Sequence, residues 1–293
     1  MGGAERLNGS AVKKVVAILV LAVVLAASPN KAEAAWFEPL SIHFIDVGQA
    51  DSILVRAPNG ENMLIDGGDE NDADTIINYL KNEGITHLDI VVATHPHHDH
   101  IGSLDDVIKA FPVSLVYMPN LPYDTKYYHD LFRNISEKQI QVERAKSGVT
   151  FRMGFAVKVE MLAPRAAYYK YINDYSAVIK INHGRNDFLL MADAGAEEER
   201  ELLLKKKDKI KADVIKIGHH GANTGTTMKF LKKVKPKTAV ISVGKNNPYH
   251  FPSKDVLSRL EKQRATVYRT DELGSIIAIS NGKNIHFKTD GIR

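Results

Sequence analysis

Residues Thr94 to His100 read T-H-P-H-H-D-H, so four of the chain's twelve histidines and one aspartate fall in a single short turn. The apolar run Ile90-Val91-Val92-Ala93 leads into it as a strand, and Ile101-Gly102-Ser103-Leu104 leaves it as a helix start. A tight turn at a strand end with the spacing His-x-His-x-Asp-His can aim two imidazoles at one metal ion. It can aim the carboxylate and the last imidazole at a second. Neutral imidazole and carboxylate suit zinc, manganese or iron. The plain alternative, a polar loop with chance histidines, has to explain an unusual density of a rare residue. His98 falls between the two pairs and reads as a spacer.

Three other strand ends carry residues of the same kind. Leu189-Leu190-Met191-Ala192 closes on Asp193. Ile215-Lys216-Ile217-Gly218 closes on His219-His220. Ile241-Ser242-Val243-Gly244 is followed by Asn246-Asn247-Pro248-Tyr249-His250. Each alone has an ordinary reading; Asp193, just before a helix at Ala196, could be only a cap. Together with the histidine turn they form a convergent set. Successive side chains at a strand end diverge, so only one of His219 and His220 is expected to face an ion.

The elements that must position these residues alternate along the chain. Strands are expected at Ser41 to Ile45, Ser52 to Val55, Asn62 to Ile65, Leu88 to Ala93 and Leu115 to Met118. Helices are expected at about Asp74 to Glu83, Leu104 to Phe111 and Tyr123 to Asn134. Further on come strand Phe155 to Leu162, then a hairpin, Tyr175 to Asn182 and Asp187 to Met191, turning at His183-Gly184-Arg185-Asn186. Helix Ala196 to Lys206 has glutamates in its first turn and lysines in its last, as the helix dipole favours. Strand Asp213 to Ile217, helix Met228 to Lys233, strand Thr238 to Val243 and helix Ser253 to Lys262 follow, with strands near Thr266, Ser275 and Asn284. This order implies two mixed sheets with helices outside.

Ahead of these elements, Arg6, Lys13 and Lys14 precede an uncharged apolar run, Val15 to Ala27, and then Ala32-Glu33-Ala34. That pattern reads as a signal peptide (1–34) cleaved after Ala34, leaving one domain, 35–293, secreted or held in the cell envelope. Membrane attachment follows only if the segment stays uncleaved. Removing residues 1–34 takes four of the 39 basic and two of the 35 acidic residues, so the mature net charge is +2. That balance neither demands nor forbids nucleic acid. The chain has no cysteine, which excludes thiolate ligands and a cysteine nucleophile.

The order and wording of these segments resemble the metallo-β-lactamase superfamily, and within it the extracytoplasmic domain of bacterial DNA-uptake (competence) proteins and its stand-alone secreted relatives. The resemblance is carried by Phe44 to Ser52, Leu64 to Gly68, Thr94 to Gly102, Asn173 to Val178, Ala192 to Ala194, Asp213 to Gly221 and Ile241 to Leu260. It implies an α/β fold, a four-layer αββα sandwich, with two divalent metal ions (Zn2+ or Mn2+). His95 and His97 would hold the first ion, Asp99 and His100 the second, and Asp193 would bridge them. One of His219 and His220 would complete the second site; His220 is taken as the ligand and His219 as the group near the substrate. Asp66 would hydrogen-bond a ligand imidazole and fix its tautomer.

The chain departs from the family pattern in four places. Asn173-Asp174-Tyr175-Ser176 stands where a further histidine is common, and His183 is expected to face solvent a strand length away. Ala192 replaces a glycine, Ala222 replaces a serine, and His250 falls one place early in a motif that commonly reads Tyr-Gly-His-Pro.

Two such ions support hydrolysis without a covalent intermediate. Asp99 would orient the attacking hydroxide, and His219 or His250 would protonate the leaving group. The leading expectation is a phosphodiesterase or nuclease acting on DNA or another phosphodiester, with no stable protein partner. The lysines at 205–211 and 229–237 offer a phosphate-tracking surface or, more simply, solvated helix ends. One alternative is a hydrolase of small or cell-wall phosphoesters of the choline phosphate type, using the tyrosines at 168, 169, 171 and 175. Another is a non-catalytic binding protein on a decayed site.

Overall fold

The computed structural model describes residues 38–291; the expected leader and its cleavage point lie outside them. Strands β1 (Leu40–Phe44), β2 (Ile53–Arg56), β3 (Asn62–Ile65), β4 (Leu88–Val92), β5 (Val113–Met118) and β6 (Gln141–Arg144) come first. Then come β7 (Thr150–Met153), β8 (Val157–Met161), β9 (Ile179–His183), β10 (Asn186–Leu190), β11 (Val214–Lys216) and β12 (Thr238–Ile241). Strands β13 (Thr266–Arg269), β14 (Ile276–Ser280) and β15 (Ile285–Thr289) close the chain. They pair into two sheets, β15-β14-β1-β2-β3-β4-β5-β6 and β13-β12-β11-β10-β9-β8-β7. The runs β3 to β6 and β10 to β13 are parallel, and the remaining pairs are antiparallel.

Side-chain alternation along the strands separates three apolar layers. In β3, Met63 and Ile65 enter the core between the sheets, while Leu64 points to the helices. In β10, Phe188 and Leu190 enter the same core, while Leu189 packs under the helices of the second sheet. Helices α1 (Ala73–Asn82), α2 (His98–Ile101), α3 (Leu104–Ala110) and α4 (Lys126–Glu137) flank the first sheet; Ile76, Leu80, Leu104, Val107 and Leu131 are buried on it. Helices α5 (Ala196–Lys205), α6 (Met228–Val234) and α7 (Lys254–Gln263) cover the second, through Leu202, Phe230, Leu231, Val256 and Leu260. The architecture is the helix–sheet–sheet–helix sandwich of two mixed sheets that the resemblance implied.

Three expectations need correction. The edge strands β6 and β7 were not anticipated: all four residues of β6 are exposed, so no apolar alternation marks it. Helix α4 starts later, at Lys126, because the Thr125 hydroxyl accepts from the Tyr128 amide and caps it. His183 belongs to β9 and is buried, with Nδ1 2.8 Å from the Ser280 hydroxyl. Its turn is pressed against the neighbouring one: a Cβ on Gly184 would run into the Gly282 carbonyl oxygen. Among the described residues no helix is long and apolar enough to cross a membrane.

His43 on β1 is 2 % exposed, with its ring between the Ser41 and Tyr79 hydroxyls. Burial, reinforced by the Arg56 charge, holds its pKa down at about 4 against 6.5. Between those values the unfolded chain binds the proton more readily. The contribution to stability is therefore full above pH 6.5 and is lost as pH falls through 6.5 toward 4. The expected loss is about 3 kcal/mol, and chemical denaturation of the wild type and His43→Gln across this window checks it. The variant should lose stability less steeply; identical slopes would refute the assignment.

Candidate metal centre

The parallel strands of both sheets end at one edge, and the chemistry-bearing residues follow those ends: Asp66 after β3, Thr94 to His100 after β4, Asp193 after β10, His219 and His220 after β11. Leaving a strand so abruptly forces unusual backbone. Asp66 (φ 60), Ala192 (φ 46), His219 (φ 52) and His220 (φ 52) are all left-handed. Each such residue costs on the order of 1 kcal/mol or more and persists because its surroundings dictate it. At Ala192 this shows why a glycine is usual: glycine alone adopts that φ without a Cβ penalty.

Asp66 anchors the histidine turn. Its carboxylate accepts from the Thr94 amide (2.8 Å), the Thr94 hydroxyl (2.7 Å) and His100 Nδ1 (2.7 Å). Because the Thr94 hydroxyl donates to Asp66, it accepts from His95 Nδ1 at 3.2 Å, which leaves His95 Nε2 unprotonated. That nitrogen lies 3.1 Å from His97 Nδ1 and 3.8 Å from Asp193 Oδ2. Two nitrogens bound to one tetrahedral ion at 2.0–2.1 Å would lie about 3.3 Å apart, so this pair converges at a ligand spacing.

A second group gathers on the other side of Asp193. His220 Nδ1 donates to the Ser242 carbonyl (3.0 Å), and its Nε2 faces Asp99 Oδ2 (3.3 Å) and Asp193 Oδ1 (3.8 Å). His100 Nε2 stands 3.2 Å from Asp193 Oδ1. Both atoms are fully buried, and with His100 neutral and donating from Nδ1 to Asp66 neither has a hydrogen-bond partner. Two such lone pairs facing each other are unfavourable unless a proton or a cation lies between them. The donor set therefore fits a divalent metal. Each oxygen of Asp193 faces a different group, as a bridging carboxylate requires.

The charge states of the first pair and of the carboxylates agree with this, while protons on His100 and His220 take the place of a cation. Burial keeps His95 and His97 below their ordinary pKa, the neutral form that binds metal. Burial opposes ionisation of Asp99 and Asp193, but the neighbouring imidazoles, His100 foremost, outweigh it and hold both carboxyls well below their usual range. For His100, burial is overcome by Asp193, Asp66 and Asp99, which raise its pKa; for His220 it is overcome by Asp193 and Asp51.

His95, His97, Asp99, His100, Asp193 and His220 thus meet, with Asp66 behind His100. The paired histidines sit on a 3-10 turn (Gly218–Gly221), not a strand end, and their rings diverge because both residues are left-handed. His219 points to the rim, with Nδ1 2.9 Å from the Thr224 hydroxyl and Nε2 3.7 Å from Asp193. His250 does not join the cluster; it is exposed, and its neighbour Phe251 contacts the His219 ring instead. Asn173 stands where a histidine is common, with Nδ2 3.3 Å from Asp193 Oδ2. His98 is exposed against Asp69, a spacer. The lysine runs lie just ahead of the starts of β11 and β12, the opposite edge. Lys206 and Lys209 pair with Glu160, Lys233 with Asp208 and Lys237 with Asp213.

The sequence reading missed the ion pair of Lys216 and Asp51, both at most 1 % exposed. Asp51 also lies 3.6 Å from His220 Nδ1, and its amide donates to the Asp99 carbonyl (3.0 Å). The available signal was a lysine inside the apolar run Val214 to Ile217.

Residues 45–245 match the sequence profile of the metallo-beta-lactamase superfamily. The chain belongs to this superfamily. It is 32 % identical over 256 residues to ComE operon protein 3 of Bacillus subtilis, covering 80 % of this chain and 32 % of that protein. It is 30 % identical over 238 residues to Recombination protein 2 of Haemophilus influenzae, covering 79 % and 28 %. The chain thus spans about a third of the length of these relatives. Among solved structures, Igni18, a metallo hydrolase from Ignicoccus hospitalis, aligns with a TM-score of 0.54 at 15 % identity, covering 81 % of this chain and 98 % of that one. Zn2+-bound PqqB from Methylobacterium extorquens aligns at 0.51 and 12 %, covering 78 % and 97 %. These likenesses concern the fold. The protein thus carries the metallo-β-lactamase fold and is related to ComE operon protein 3, Recombination protein 2 and the competence protein ComA of Neisseria gonorrhoeae.

Two predictions follow from this geometry. Elemental analysis should find up to two divalent ions per chain of this superfamily member. Asp193→Ala should deplete both ions and His220→Ala one, while His219→Ala keeps the full content; equal loss from His219→Ala would undo the division of the pair. Separately, Lys216→Met should cost about 3–5 kcal/mol by stranding the Asp51 carboxylate. The double variant with Asp51→Leu should recover much of that in urea unfolding. A double variant as unstable as the single one would contradict the pairing.

Proposed function

We propose that this protein is an extracytoplasmic phosphodiesterase acting on nucleic acid. The observation that carries this reading is the pair of ligand groups sharing Asp193, which itself lines an open cleft. The cleft, ≈ 720 Å³, is lined by His97, Asp193, His219, Asn173 and Lys170. Bound divalent ions would activate water and clamp the oxygens of a phosphoryl group. Asp99, at the inner side, orients the nucleophile. Burial lowers the pKa of His219, against the raising effect of Asp193; a phosphate in the cleft would draw it back up, so His219 can pass a proton to the leaving oxygen. His250, exposed, is not assigned this role.

Other observations favour this reading over its rivals. One relative is named a recombination protein and another, ComA of Neisseria gonorrhoeae, a competence protein, names that accord with a nucleic-acid substrate. The apolar run and small-residue site before residue 35 support action outside the membrane. Of the four tyrosines behind the choline ester alternative, Tyr169 and Tyr175 are buried with their hydroxyls engaged, which leaves only Tyr168 and Tyr171 to meet a cation. The intact donor set speaks against a decayed site. The imidazole and carboxylate donors suit zinc or manganese.

Protein loaded with manganese or zinc should hydrolyse DNA and a simple aryl phosphodiester, and lose activity with chelator. Asp99→Ala and His100→Ala should each reduce turnover at least a thousandfold with the fold intact. Fully metallated wild type inert on DNA, RNA, aryl diesters and choline phosphoesters would point instead to a binding protein.

A further inference from the structure

We propose that a single-stranded nucleic acid lies along the rim beside the metal centre, one backbone phosphate seated in a basic pocket formed by Arg144, Lys146 and Arg165. The inference rests on the phosphodiesterase reading and names the form of the substrate.

The ends of β5 and β6 lie on the same edge as the metal ligands. With the segment 164–175 they enclose a cavity of ≈ 250 Å³ lined by Asn120, Arg144, Lys146, Ser147 and Arg165. No acidic side chain lines it. Some exposed cations are neutralised by neighbouring carboxylates, as Arg56 is by Glu83, Lys109 by Asp105 and Asp106, and Arg200 by Glu197. Among the described residues, Arg144, Lys146 and Arg165 have no carboxylate within ion-pair distance; the one polar contact of the Arg165 guanidinium is with the Ser147 hydroxyl (2.8 Å). Three unpaired cations around one acid-free hollow concentrate positive potential where a phosphate would fit.

The segment is held in shape by its buried tyrosines. The Tyr169 hydroxyl accepts from the Arg165 and Ala166 amides (2.9 and 3.0 Å) and donates to Glu201 (2.8 Å), and the Tyr175 hydroxyl accepts from the Tyr169 amide (3.0 Å). The other two tyrosines stay outside. Tyr168 is 77 % exposed and Tyr171 61 %, the latter with Lys170 Nζ 5.0 Å from its ring centre. Exposed rings alternating with cations suit unpaired bases, whose faces are free to stack, and not duplex, whose faces are covered. The same segment continues through Asn173, whose amide reaches Asp193, into the wall of the larger cleft. A chain threaded along it places one phosphate at the metal centre and another in the basic pocket. A small monomeric ester would not reach both.

The test uses the full chain in chelator, so that binding is read without turnover, by fluorescence anisotropy of a labelled oligothymidylate and of a duplex. Wild type should prefer the single strand. Lys146→Gln with Arg165→Gln should weaken binding tenfold or more and flatten the log–log salt dependence by about 1.4, and Tyr168→Ala should weaken it roughly fivefold or more. With metal restored, all these variants should hydrolyse an aryl phosphodiester at the wild-type rate, which also reports that they are folded. Unchanged binding and salt slope in the double variant would overturn the proposal whatever the hydrolysis result. Equal affinity for duplex with no effect of Tyr168→Ala would overturn the single-strand assignment. Single-strand binding that responds to the variants, with wild type inert on every diester, would keep this surface and remove the phosphodiesterase reading.

Discussion

The structure depends on how an excess of buried carboxylate is neutralised. Asp51, Asp66 and Asp193 are all nearly inaccessible, and Asp99 adjoins them. One fixed cation, Lys216, answers one of them. The rest face imidazoles, and two of those, His100 and His220, are drawn toward protonation by that field. Charges cannot be buried at such density without counter-charge. Divalent ions held between the two ligand groups would supply it and release the protons that stand in for them. Divalent ions held here would thus answer a charge demand of the interior as well as fit a ligand spacing.

The sandwich exists to bring these charges together. Neither sheet carries a complete set: Asp66, His95, His97, Asp99 and His100 follow strands of the first, and Asp193, His219 and His220 follow strands of the second. The core between the sheets, from Ile42 and Phe44 to Met161 and Phe188, fixes their separation. Left-handed Asp66 and His220 then aim their side chains inward across it. Local strain is confined to the turns, and the energy holding it comes from three apolar layers that the metal centre does not interrupt.

Much of this was legible in the residues. The histidine turn announced its chemistry by spacing, and strands such as Asn62 to Ile65 were visible because alternate positions enter two different cores. What was hidden has physical reasons. Gln141 to Arg144 forms an exposed edge strand, so its pattern carries no burial signal. The roles of His219 and His220 depend on two left-handed residues that no periodicity encodes. Lys216 finds its partner 165 positions away, at Asp51, a pairing visible only once the sheets are stacked. His250 was judged by its motif, but the chain turns at that point with φ 56 and leaves the ring in solvent.

The most direct test is anomalous diffraction from crystals of the protein loaded with manganese or zinc. The account predicts two peaks, one between His95, His97 and Asp193, the other between Asp99, His100, His220 and Asp193, with the Asp193 carboxylate spanning them. A single peak bound away from Asp193, or full occupancy with Asp193 outside both coordination spheres, would contradict it.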